Sequence, residues 1–186
     1  NGIIQFANNE LSLTRGAPAL GRVKGGLRFT ANGFDLAGVT ATAWGGEVKI
    51  EGGSKPATAP QQAQVQIKAM GQLSANGLRD APELADWTAQ LKNLQGSTAY
   101  TAQLQWRRGQ LEMEVNSSLV GMAIQAPQGL GKKAAESMPL RLESNLTPES
   151  LSGAKWLQEQ AVLRWGHMLE ARYLRDLSGP QPKVIK

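Results

Sequence analysis

Few residues of this chain combine the types and the spacing that chemistry requires. Glu112 and Glu114 lie two apart in an alternating segment, so a strand would place both carboxylates on one face, where they could serve as acid and base. A solvated strand face explains them more simply, because productive carboxylates need a cleft that shifts their pKa values. The segment 129–132 lacks the spacing of a phosphate-binding P-loop, and His167 is the single histidine. The sequence therefore predicts no catalytic residue, no metal site and no cofactor.

Charge and composition argue against two further classes of protein. The 186 residues contain no Cys, which excludes disulfides and thiolate metal sites, and they carry a formal net charge of +5. The basic residues are scattered, whereas a nucleic-acid surface needs them clustered with stacking aromatics. We therefore expect a solvated surface and no nucleic-acid partner. The sequence has no secretory signal and no apolar run that could span a bilayer, and because it starts at Asn1 we interpret it as a piece of a larger protein.

The strongest signal is a repeated phrase, in which a short segment of alternating apolar and polar residues follows a Gly-rich turn. Strict alternation places all the apolar side chains of a strand on one face. Leu36 and Val39 are out of phase, and Gly38 between them predicts a β-bulge. The pattern predicts a mostly β fold whose sheet has one apolar and one polar surface. The phrase recurs at Gly25–Thr30, Gly45–Ile50, Gln64–Lys68, Gln103–Trp106 and Leu111–Val115.

Three segments depart from this pattern. Residues 53–62 are polar, contain two Pro, and are interpreted as a loop within one sheet system. Residues from about 81 to 95 predict an amphipathic helix, with Asp80 as its N-cap. This helix either caps one end of the sheet or packs against it as an ordinary core element. Residues 1–177 are thus expected to form a single β-rich segment, followed by a flexible tail at 178–186. The apolar stripe of the predicted helix is Leu84, Trp87, Leu91 and Leu94.

The apolar face of the sheet is the candidate working surface. The predicted helix is too short to cover so many strands, so we expect much of this face not to be covered by protein. In the alternative, the same residues pack against the helix and one another as a closed core. Lys132 and Lys133 are candidates to meet an anionic head group, or else belong to a solvated loop. The candidate groove residues are Leu27, Phe29, Val48, Ile50, Val65, Ile67, Leu104, Trp106, Leu111, Met113, Val115, Leu119, Leu140 and Leu142.

The order of phrases between residues 98 and 142 resembles the YhdP branch of the AsmA-like family. Trp106 is followed by a strand that ends in Ser117-Ser118-Leu119-Val120-Gly121, then by Ala126-Pro127-Gln128-Gly129, and then by Met138-Pro139-Leu140. The Gly-x-Leu-x-Phe-Thr and Trp-Gly-Gly-x-Val-x-Ile phrases within 25–52 resemble another part of the same family. The chain departs from the family pattern at Gly129, where a second Pro is usual. The resemblance extends over residues 20–165.

This resemblance implies both a fold and a function. The fold would be a strongly curved antiparallel sheet, an open β-groove like that of TamB-like proteins, with one or two short helices. The parent protein would be anchored in the inner membrane and would conduct phospholipid, or another lipid, through the periplasm towards the outer membrane without enzymatic activity. Its partners would be the lipid and the adjoining segments of the same chain. The alternative is an envelope scaffold or interaction module with a closed β core, and exposed edge strands add a possible self-association of this segment.

Overall fold

The strands of this protein form one open antiparallel sheet, seen in a computed structural model that describes residues 1–12, 18–54, 64–126, 131–179 and 183–185. The mostly β fold and the open sheet expected from the sequence are both confirmed. The strands are β1 Gly2–Leu11, β2 Leu20–Thr30, β3 Gly33–Ala43, β4 Gly46–Ser54, β5 Val65–Ser74, β6 Leu94–Arg107, β7 Gln110–Ser117, β8 Met122–Ile124, β9 Leu140–Leu146, β10 Gln158–Trp165, β11 Leu169–Asp176 and β12 Lys183–Val184.

Strands that follow one another in the chain are neighbours in the sheet, with one exception. The short strand β8 pairs with the start of β6, at Leu94–Gly96, and not with β7. This leaves the free edge of β7 to pair with β9. The sheet order is therefore β1-β2-β3-β4-β5-β6-β7-β9-β10-β11-β12, a meander with two ends that do not meet.

The predicted bulge at Gly38 is confirmed and has a consequence for the sheet. Leu36 pairs with Gly52 and Val39 with Ile50, so β3 has one residue more than β4 between these two pairs. Gly38 takes up that residue with a φ of 60°, which is a left-handed conformation that glycine adopts without strain. The extra residue restores the phase of the alternation. Leu36 and Val39 therefore lie on the same face of the sheet.

The predicted helix at about 81–95 is divided into two short helical elements that end at Leu91, and a further short helix precedes them. Helix α1 spans Ala75–Arg79 and begins where the Ser74 side chain accepts a hydrogen bond from the Gly77 N–H. Asp80 is the C-cap of this helix and not the N-cap of the next one. A 3₁₀ helix at Pro82–Trp87 and helix α2 at Thr88–Leu91 follow, and helix α3 lies at Pro148–Leu151. Leu94, assigned to the helical stripe, opens β6 instead.

The polar loop and the flexible tail of the predicted domain layout lie partly outside the described residues. Of the polar loop expected at 53–62, Gly53 and Ser54 belong to β4, and residues 55–63 are not described. Of the tail expected at 178–186, Lys183 and Val184 pair with Asp176 and Arg175 as a short last strand. Residues 180–182 and 186 of that tail are not described.

Most apolar side chains of this sheet lie on one surface, which we call the inner face, and most polar side chains lie on the outer face. Val23 is fully buried and Val48 is 3% exposed on the inner face. Within the described ranges, only short helices accompany the sheet, so these side chains are covered by others of the same face. The sheet must therefore curve around them. The core contains Leu20, Val23, Val39, Ala41, Ala43, Val48 and Tyr100, with Phe6, Leu36, Trp44, Ile50, Ala69, Leu73 and Ala102 packed against it.

Candidate functional site

The strand register brings almost all of the predicted groove residues onto the inner face. Leu104 pairs with Ile67 on one side and with Met113 on the other, and Trp106 pairs with Val65 and with Leu111. One row of paired positions crosses the sheet from β4 to β11 at Gly52, Ile67, Leu104, Met113, Ser144, Ala161 and Tyr173. The remaining candidates lie on the same face at Leu27, Phe29, Val48, Ile50, Val115, Leu140 and Leu142.

The strands end along two sides of the sheet, which we call the hairpin edge and the helical edge, and the inner face is covered to a different extent towards each. The hairpin edge carries the turns at 31–32 and 108–109, and the helical edge carries the turn at 44–45 and the helices α1 and α2. Towards the helical edge of β3 to β6, the inner residues are buried, as Val39 and Tyr100 are. Towards the hairpin edge, Phe29 is 42% exposed and Leu111 is 40% exposed. From β2 to β7 the inner face is therefore closed along the helical edge and open along the hairpin edge.

Two aromatic residues close the inner face at the helical edge. The rings of Trp44 and Tyr100 are 5.8 Å apart and tilted against each other. The Trp44 indole N–H donates to a carboxylate oxygen of Glu83, in the 3₁₀ helix, over 2.8 Å. Burial raises the pKa of Tyr100, because it disfavours the charged phenolate. The segment predicted as one helix thus acts at the end of the strands, where it caps the buried half of the face.

Leu119 differs from the other groove candidates, since it does not belong to a strand. It lies between β7 and β8, is 7% exposed, and has a φ of 54°. Its carbonyl accepts a hydrogen bond of 2.7 Å from the ammonium group of Lys132. Its place in the fold is thus in the loop at the helical edge, and it offers no surface to a groove.

Lys132 likewise lies inside this loop, where its ammonium group cannot contact the head group of a lipid on the inner face. It is 5% exposed, and its ammonium group donates to the carbonyls of Leu119, Met122 and Lys133 at 2.6 to 3.0 Å. Burial lowers the pKa of Lys132, because the charged form loses hydration. The candidate head-group contact is corrected here, because this ammonium group is enclosed by the loop. Lys133 is exposed, and its backbone N–H donates to Glu136.

The paired carboxylates Glu112 and Glu114 lie on the outer face and each meets an arginine. Glu112 is 5% exposed, accepts a hydrogen bond from the Leu146 N–H at 3.0 Å, and pairs with Arg107 at 3.1 Å. Glu114 lies 3.5 Å from Arg141. Both carboxylates are thus engaged by neighbouring strands and do not share a cleft.

Glu114 is also the first member of a ladder of charges on the outer face. Opposite charges alternate across β7, β9, β10 and β11, and successive partners are 2.5 to 3.5 Å apart. Hydrogen bonds from Arg141 and Arg164 hold the pKa of Glu143 below its ordinary value. The ladder ties β7 to the three strands β9, β10 and β11, which follow β8 in the chain. Its members in order are Glu114, Arg141, Glu143, Arg164, Glu170 and Arg172.

A polar group on the inner face was missed by the sequence reasoning. Glu159 is 4% exposed, and one of its carboxylate oxygens accepts from Nε and Nη2 of Arg175 at 2.9 and 2.5 Å. Glu159 and Arg175 are paired across β10 and β11, in the same face as Ala161 and Tyr173. The alternation of the sequence did place Glu159 in phase with Ala161 and Leu163. That phase was the signal in the sequence that could have placed Glu159 on the inner face.

The described residues contain neither a candidate metal site nor a helix that could span a membrane. Among these residues, no group of three or more His, Cys, Asp or Glu side chains could hold a metal ion. No helix in the described part of the chain is long and apolar enough to cross a membrane.

Comparison with known proteins bears on the resemblance noted in the sequence. A family model described as YhdP protein matches residues 1–183. The chain belongs to the YhdP family. The match extends the resemblance beyond residues 20–165 in both directions. It also suggests that this YhdP-family segment is part of a cell-envelope protein related to lipid transport. No curated protein sequence and no solved structure matches the chain.

Proposed function

We propose that this chain is a segment of a periplasmic, inner-membrane-anchored protein that conducts phospholipid towards the outer membrane along its inner face. The observation that carries the proposal is the continuity of that face. One row of paired positions is apolar in every strand that it crosses from β3 to β11, and it consists of Val39, Ile50, Ala69, Ala102, Val115, Leu142, Leu163 and Ala171. Membership of the YhdP family supports it.

The energetics of such a face suit transport better than fixed binding. Burial of one CH₂ group gains about 0.8 kcal/mol, so an acyl chain of about sixteen carbons gains on the order of 10 kcal/mol before costs. Apolar contact is non-directional, so neighbouring positions along the face hold the chain with similar energy. A lipid can then move from strand to strand without crossing a high barrier. The mechanism requires no covalent step, and we propose that the segment is not an enzyme.

The exposed hairpin edge of the inner face leaves the head group of the lipid in water. Phe29 and Leu111 are exposed beside the turns of the hairpin edge, whereas Val39 and Val48 lie buried towards the helical edge. An acyl chain that enters from the hairpin edge buries its methylene groups, and the head group stays in water outside. Burial of a charged head group would cost more than the acyl chain gains by displacing water.

Lipid uptake by variants of the two faces tests this proposal. Ile67→Glu and Met113→Glu place a charge on the inner face, at half-buried positions that pair with Leu104. We expect each to reduce the uptake of a fluorescent phospholipid by more than about tenfold, because a carboxylate against the acyl chain is strongly unfavourable. Met70→Glu is the matched control, since Met70 lies on the outer face of the same strand as Ile67 and is 51% exposed.

The same variants distinguish an open groove from a closed core. Far-ultraviolet circular dichroism and urea unfolding report whether each variant is folded. Folded Ile67 and Met113 variants that do not take up lipid support the proposal. Uptake unchanged in folded variants, or no uptake by the unaltered protein, contradicts it.

A scaffold or interaction module with a closed β core is the second candidate function. The buried half of the inner face favours it, because Val23, Val39 and Val48 are as enclosed as residues of an ordinary core. In that case Ile67→Glu and Met113→Glu would each unfold the protein, and native mass spectrometry of the unaltered protein would show no bound lipid.

A further inference from the structure

The ion pair of Glu159 and Arg175 is unusual because of the face on which it lies. Its neighbours in the register, Leu146 and Ala161, belong to the apolar surface. A buried ion pair contributes little to stability, since two apolar residues of similar volume often do as well or better. Its presence on the inner face therefore calls for another explanation.

The geometry of the pair leaves part of the guanidinium group available. Glu159 accepts from Nε and Nη2 of Arg175 through a single oxygen. Among the described residues, Nη1 of Arg175 has no hydrogen-bond acceptor, and 36% of the Arg175 side chain is exposed. The Nη1–Nη2 side of the guanidinium can thus donate two parallel hydrogen bonds, which is the arrangement that matches phosphate.

The surroundings of Arg175 are also polar. Tyr173, two residues earlier on the same face, is 49% exposed and has a hydroxyl that can donate. Ser144 is paired with Ala161, and its buried hydroxyl has no hydrogen-bond partner within the described ranges. Near the hairpin edge of β9, β10 and β11, the inner face therefore carries polar side chains beside the apolar Leu146. We call Ser144, Glu159, Tyr173 and Arg175 the polar patch.

This patch lies where the proposed function would place a head group. Leu111 lies near the start of β7 and Arg175 near the end of β11, and both positions are at the hairpin edge. An acyl chain on Leu104 and Met113 would have its polar end towards this edge.

We propose that Arg175, positioned by Glu159, binds the phosphate of a lipid whose acyl chain lies on the inner face. This inference rests on the proposed function and adds a preference for anionic over neutral amphiphiles. The patch takes the role for which Lys132 was a candidate, since Arg175 faces the groove and Lys132 is enclosed in a loop.

A pair of single-chain lipids that differ only in the phosphate provides the test. Palmitoyl lysophosphatidic acid and monopalmitoylglycerol are titrated below the concentrations at which they form micelles, and inorganic phosphate is titrated alone. We expect lysophosphatidic acid to bind about tenfold more tightly than monopalmitoylglycerol, since a charge-assisted hydrogen bond is worth about that factor. Inorganic phosphate alone is expected not to bind measurably, because it lacks the acyl chain.

The test variant is the double substitution Glu159→Gln and Arg175→Gln, which removes the cation without leaving a buried carboxylate. It should bind both lipids equally, with the affinity for monopalmitoylglycerol unchanged. Arg172→Gln is the matched control, because Arg172 lies on the outer face of the same strand. If the double variant fails to fold, Arg175→Lys keeps the charge but not the two parallel donors, and should still lower the preference for phosphate.

The outcomes separate this inference from the function on which it rests. Equal affinity of the unaltered protein for the two lipids, or a preference that survives loss of the Arg175 guanidinium, overturns the inference while lipid binding stands. Binding of inorganic phosphate alone with similar affinity overturns it too, because the site would then be a simple anion site. Binding of neither lipid overturns the proposed function and this inference together.

Discussion

At the scale of single residues, Lys132 shows how one buried side chain can stabilise a crossing loop. Its ammonium group donates to the carbonyls of Leu119, which precedes β8, of Met122, which opens β8, and of Lys133, which follows it. These contacts hold the connection between β7 and β9, which leaves the sheet order at that point. A lysine in a Lys-Lys pair suggests a solvated loop by its sequence, and only the fold reveals the enclosing carbonyls.

We predict that Lys132→Met destabilises the protein by about 1 to 3 kcal/mol, because buried carbonyls lose their donor. Lys133→Met is the matched control, since Lys133 is exposed in the same loop, and should change the free energy of unfolding by less than about 0.5 kcal/mol. Urea unfolding of both variants checks this. Equal stability of the two variants would show that the buried ammonium contributes nothing.

At the scale of elements, the ladder on the outer face makes stability depend on pH. The pKa of Glu143 is below its ordinary value of 4.5, chiefly because Arg141 donates to it, and the pKa of Glu170 is lowered chiefly by Arg172. A carboxylate with a depressed folded-state pKa stabilises the fold above its ordinary pKa. That contribution is lost as the pH falls through the lowered folded-state pKa.

We predict that the free energy of unfolding falls between about pH 5 and pH 3, and that Glu143→Gln makes this fall shallower. Glutamine can still donate and accept hydrogen bonds but does not titrate in this range. Urea unfolding at several pH values measures the slope. Glu136→Gln serves as the control, because Glu136 lies outside the ladder, in the loop before β9. An unchanged slope in Glu143→Gln would mean that the ladder is not the source.

Sequence alternation predicted the strands well and the helical segment poorly, for a physical reason. In a strand, the alternation of apolar and polar side chains reports directly which face each residue occupies, and the register confirms this from β2 to β7. In residues 81–95, the spacing of Leu84, Leu91 and Leu94 suggested one continuous helical stripe. The helical backbone instead ends at Leu91, and Leu94 belongs to β6, where it pairs with Ile124 of β8. The pairing of strands, which no local pattern specifies, therefore decides this boundary.

At the scale of the whole molecule, the sequence predicted which residues share a face but not how much of that face is covered. Coverage depends on the curvature of the sheet, which buries Val48 and leaves Phe29 exposed although alternation treats them alike. The same limit applies to the polar patch. The pairing of Glu159 with Arg175 joins residues of two strands whose register no local pattern specifies.

The central claim is that the uncovered part of the inner face holds lipid, and crosslinking tests it most directly. Benzoylphenylalanine is introduced at Phe29 or Leu111, both exposed on the inner face, or at Thr30, exposed on the outer face of the same strand as Phe29. After irradiation in Gram-negative cells that express the segment in the periplasm, mass spectrometry measures covalent lipid adducts. We predict phospholipid adducts at positions 29 and 111 and none at position 30. No adduct at either inner position, or equal yields at all three, would contradict the account.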